Sequence, residues 1–139
     1  MTFAQAIADF PLNAINRRPP HLSYSPWHLL EHIRIAQWDI LAFIVDPDHV
    51  SPRWPEGYWP APDSRAEAEG WNETIDRFHA DLRVLQEVIE DPGTDLCAPL
   101  PHAPEYTVLR EILLAADHNA YHIGEFAILR QVMGTWPAG

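Results

Sequence analysis

"TVLREILLAADHNAYHIGEFAILRQVMG", residues 107–134, is the stretch on which the fold turns. Val108, Ile112, Ala115, Ala116, Ile123, Phe126 and Leu129 recur at three- and four-residue intervals and gather on one side of a wheel turning about 100° per residue. Arg110, Asp117, Gly124 and Gln131 fall on the other side, as a water-facing surface requires. Thr107 offers a hydroxyl to the first-turn amides, and Gly134 is a stop signal, so one helix to about Met133 is predicted. Two polar rings break the apolar side: His122 sits within the stripe and His118 at its edge. Four residues apart, they rise about 6 Å along the axis and lie one above the other. A buried imidazole costs free energy unless it finds a partner, so two in register call for an explanation.

Upstream, "SPWHLLEHIRIAQWDILAFIV" (residues 25–45) reads as a second helix, with Ser25 as cap and Pro26 at the first helical position. Its apolar side is Leu29, Leu30, Ile33, Ala36, Ile40 and Ile44, with His28, His32 and Asp39 together on one flank. A short first helix is predicted over residues 2–9. A third is predicted from Asp63 or Ser64 to "EDPGTD", on the stripe Trp71, Ile75, Phe78, Leu82, Leu85 and Ile89. Proline-rich connections separate them, and no alternating strand pattern appears. The expectation is therefore a single all-α domain over residues 1–139, a four-helix bundle.

Bundle helices pack about 8–10 Å apart, so an inward His32 is placed to meet His118 and His122 across the interior. Three imidazoles from two helices suit a divalent ion such as zinc, nickel or iron. His28 is expected at an exposed first turn. Glu125 and Asp39 stand as either additional ligands, acceptors behind the ligands, or solvated charges. His21, His49, His79 and His102 fall in loops or on polar faces and are assigned no function. The aromatic loop with Trp54, Tyr58 and Trp59 either roofs the pocket or caps the bundle end. Arg53 and Arg130 are candidates to receive a substrate carboxylate.

Competing chemistries fail on residue type. The chain lacks the Glu-x-x-His pairs of a di-iron carboxylate bundle, and HExxH, P-loop, GxGxxG and GxSxG motifs are missing too. Cys97 is the only cysteine, which rules out an intrachain disulfide. A net charge of −11, with all nine basic residues scattered arginines, argues against nucleic-acid partners. The opening "MTFAQAIADF" lacks the pattern of a secretory leader, and no run is long enough for a membrane span, so a cytoplasmic protein is expected.

Taken together, "SPWHLLEHIRIAQWDIL", "WPEGYWP", "LREILLAADHNAYHIGEFAILRQ" and "GTWP" resemble the DinB-like (DinB/YfiT-like) superfamily, over about residues 20 to 136. The resemblance implies a bundle in up-down-down-up order, a homodimer, and a divalent metal on three histidines, which by position are His32, His118 and His122. It implies a small-molecule substrate and a range of activities, from transferases that use a low-molecular-weight thiol, and a mycothiol-dependent isomerase, to metal-dependent hydrolases and stress-induced proteins without known turnover. One departure is visible: relatives often carry Gln where this chain has Glu125, so an anion stands beside the implied site.

Overall fold

The computed structural model describes residues 1–137. Its described residues form four helices, α1 (Phe3–Ile7), α2 (Pro26–Val45), α3 (Ala68–Glu90) and α4 (Val108–Met133), with a two-stranded antiparallel sheet of β1 (Pro99–Leu100) and β2 (Ala103–Thr107). The central helix α2 packs against both α3 and α4, and α1 lies against α4. None of these helices is long and apolar enough to cross a membrane.

The start of α2 and both ends of α4 follow from local chemistry. Ser25 accepts from the His28 amide, and Pro26 enters with its φ already helical. Thr107 accepts from the Arg110 amide, and Gly134 closes α4 in the left-handed region at φ 62°. Helix α1 is held by a capping box between Thr2 and Gln5.

The core fills the space between these elements. Phe3 stacks on Phe78 with ring centroids 3.8 Å apart, and Phe10 on Trp71 at 5.2 Å. Leu29, Leu30 and Ile33 of α2 meet Phe126 and Leu129 of α4 in the same cluster. Arg130 is completely buried beside it. Its guanidinium donates to the carbonyls of Ala6, Ala8 and Thr135 at 2.7–2.8 Å and lies over the Trp136 ring. That arginine ties the end of α1 to the segment after α4, so it is not available to a substrate carboxylate as expected from the sequence.

Two elements differ from the sequence reading. Helix α3 starts at Ala68, not Asp63 or Ser64, because Asn16 captures the chain first: its amide bonds both the N–H and the C=O of Ala66, at 3.0 and 2.7 Å. The all-α expectation is corrected by the small sheet. Leu100 and Ala103 are buried against Phe43 and Ile44 and close that end of the bundle. A two-residue strand is too short to show alternation.

Candidate metal centre

His32 comes from the middle of α2, and His118 and His122 from successive turns of α4. Where the two helices pack, the Nε2 of His32 lies 3.2 Å from the Nε2 of His122 and 3.3 Å from the Nε2 of His118. The three rings form one cluster of potential ligand atoms, all within 4.8 Å of one another, the only such group of His, Cys, Asp or Glu among the described residues. His32 is buried and the other two are partly so.

What lies behind two of the rings fixes which nitrogen faces the centre. The Nδ1 of His32 is 2.8 Å from the backbone carbonyl of Tyr58. A carbonyl only accepts, so Nδ1 carries the proton and Nε2 presents a lone pair. His122 is set likewise: its Nδ1 donates at 2.6 Å to a Glu125 carboxylate oxygen, and the other oxygen accepts from the Tyr24 hydroxyl. Two lone pairs therefore confront each other at 3.2 Å, which is repulsive unless a cation stands between them. The Nδ1 of His118 is buried without a partner.

Protons are poor candidates for that cation. Burial, more than the neighbouring rings, holds His118 down to about 4, and burial likewise lowers His32. A divalent ion suits the donor set better: ligands about 2.1 Å from a tetrahedral centre stand about 3.4 Å from one another, close to the two separations from His32. The hydrogen bond from His122 holds the Glu125 carboxyl below the usual range, so it stands as an anion. It faces the far nitrogen of His122, and its contacts are those of an acceptor behind the ring.

The loop before α3 completes the enclosure. Trp59 lies flat against His32, centroids 4.0 Å apart and planes 4° from parallel, so this residue roofs the site. Tyr58 is held by its hydroxyl, which donates to the buried Asp39 at 2.5 Å and is pushed up to about 12 mainly by burial. Asp39 also takes a hydrogen bond from His49 at 2.7 Å. Asp39 thus positions the carbonyl that orients His32, and His49, assigned no function from sequence, supports it.

Other expected residues lie elsewhere. His28 is buried rather than exposed: it takes the third position of the α2 capping box, with Ser25 Oγ 2.6 Å from its Nδ1, and its Nε2 donates to the Ala61 carbonyl. Arg53 is fully solvated beside Glu56, and Trp54 is exposed. Sequence reasoning missed Tyr24 and the Tyr58 carbonyl. A main-chain oxygen leaves no mark in the residue code, and Tyr24 is separated from Glu125 by 101 positions.

Residues 1–126 match the DinB superfamily, a span that includes all three histidines and Glu125. Neither the curated proteins nor the solved structures yield a match.

Proposed function

The chain belongs to the DinB superfamily, and from that premise we propose that it is a divalent-metal-dependent enzyme whose ion is held by His32, His118 and His122 through their Nε2 atoms. The observation that carries the reading is the confrontation of two bare nitrogens, from two helices, at 3.2 Å, with the Nε2 of His118 3.3 Å from one of them. A divalent ion on three neutral imidazoles supplies a Lewis-acidic centre that stabilises the anion of a bound water or thiol.

The protein's own residues prepare that centre. Tyr58 and Glu125 fix the tautomers of His32 and His122 before anything binds. Trp59 keeps bulk water from the face of His32 it covers. Among the described residues no cysteine, serine or threonine is hydrogen-bonded to or stacked on the three rings, and Cys97 sits exposed in the loop before β1. The attacking group is therefore brought in from solution. Transfer to or from a low-molecular-weight thiol is the reading preferred here, because a thiolate needs no general base once the metal holds it. Hydrolysis by a bound water uses the same ligands.

The test starts with metal content. Protein purified without a histidine tag is expected to carry about one equivalent of zinc, nickel or iron, and the His122→Ala variant to lose it. Loss-free substitution would refute the site. The loaded protein is then incubated with an electrophile and glutathione, bacillithiol or mycothiol. Conjugation with one thiol supports the transferase, and ester cleavage without thiol dependence replaces it with the hydrolase.

A further inference from the structure

Beside the histidine cluster, α4 and the segment 19–24 enclose a groove of about 580 Å³. That volume falls within the range of small-molecule pockets, about 300–1,000 Å³. Leu22, Ile128 and Val132 form its walls, all of them exposed, and Leu129 its buried floor. At one end stand Tyr24 and Glu125, the pair that connects through Glu125 to His122. Gly124 lies in the lining, and a Cβ added there would meet nothing within 4 Å beyond its sequence neighbours and its own helix backbone. A glycine in mid-helix weakens the helix, and here no packing within the chain requires it. What it leaves open is the groove.

The hydrogen-bonding capacity left at the polar end is one-sided. Tyr24 spends its proton on Glu125, and both carboxylate oxygens already accept, so what remains there is lone pairs. Among the described residues that line the groove none is cationic, and the Tyr121 hydroxyl can both donate and accept. A ligand carboxylate or phosphate would meet the Glu125 carboxylate with no cationic side chain in the groove to offset it.

We infer that this groove binds the apolar body of a substrate that bears a hydrogen-bond donor, an alcohol or an amine, seated against Tyr24 and Glu125 behind the His122 ring. Only the word substrate rests on the metal-enzyme reading; the binding itself is measured directly. An aryl or alkyl body covers Leu22, Ile128 and Val132, and the donor supplies the hydrogen that Tyr24 and Glu125 lack.

The experiment is calorimetric titration of the metal-loaded full chain with 4-phenylbutylamine, 4-phenylbutan-1-ol and 4-phenylbutanoate, which share one apolar body. The amine and the alcohol are expected to saturate, and the carboxylate to bind at least tenfold more weakly. Gly124→Leu fills the groove with a better helix former, so it is expected to weaken the amine at least tenfold with metal content and melting temperature preserved. Ile128→Ser, at an exposed wall, is expected to weaken the amine and the alcohol together. Unchanged amine binding in both variants overturns the inference. So does carboxylate binding as tight as the amine's and equally sensitive to Gly124→Leu, or the absence of saturation by several millimolar amine and alcohol. A wild-type dimer that Gly124→Leu converts to monomer gives the groove to a second copy and overturns it as well. Metal content measured on the same samples separates the two readings: groove failure with full metal sinks only the ligand, and groove binding without metal sinks only the enzyme.

Discussion

Glu125 is one oxygen away from being a ligand and faces the wrong nitrogen for it. Its carboxylate accepts a hydrogen bond from the Nδ1–H of His122 and makes that ring a better donor at Nε2. Glu125→Gln keeps the shape and removes the charge. It is expected to weaken metal binding by roughly 10–100-fold, as for other groups that orient a metal-bound histidine, with the fold intact. Competition against a chromophoric chelator measures this, and unchanged affinity would leave Glu125 as a bystander. His118 gives a second prediction at this scale. In the unfolded chain its imidazole takes a proton near its usual value of about 6.5, but in the folded chain only near about 4. Between those values the unfolded chain holds more protons, so metal-free stability is full above the upper value and falls as pH drops toward the lower one. Chemical denaturation of the chelated protein across that window checks the sign; stability that rises on acidification would contradict it. The three histidines were legible in the sequence because helical periodicity placed them inward. Asp39 was visible only as an ambiguous charge, since its partners Tyr58 and His49 come from a loop with no periodicity.

The elements divide by whether their ends are set locally. Helices α2 and α4 end where the sequence says, because Ser25, Pro26, Thr107 and Gly134 act on their own neighbours. The start of α3 and the small sheet depend on distant contacts, Asn16 with Ala66 and Leu100 with the far end of α2, which no local window contains. His28 belongs to both classes: its spacing was plain, but its use as a capping residue in place of Glu or Gln was not. Ser25→Ala removes the hydroxyl that meets both the His28 amide and its ring. It is expected to destabilise the protein by about 1–2 kcal/mol, the upper range for a lost cap. Urea titration measures this, and a change within error would mean that water replaces the cap.

For the molecule as a whole, the histidine cluster joins α2 to α4, helices 86 or 90 positions apart at the residues concerned. An ion held there binds the folded chain and not the unfolded one, so removing it lowers apparent stability. With free metal at a hundredfold over Kd the loss is about 2.7 kcal/mol. For a domain of this size each kcal/mol is worth about 4 °C, so the melting temperature is expected to fall by roughly 10 °C on chelation. Differential scanning calorimetry with and without chelator decides it, and coincident curves after verified metal loss would count against a tightly held ion.

The three rings are not equally tethered. A carbonyl steadies His32 and a carboxylate steadies His122, but the Nδ1 of His118 is buried with nothing to hold it. An ion shared by all three would thus rest on two rings held from behind and one that is not. Exchange of such an ion would then be expected to start at His118, the ring with no hydrogen bond behind it, leaving the other pair as a half-site.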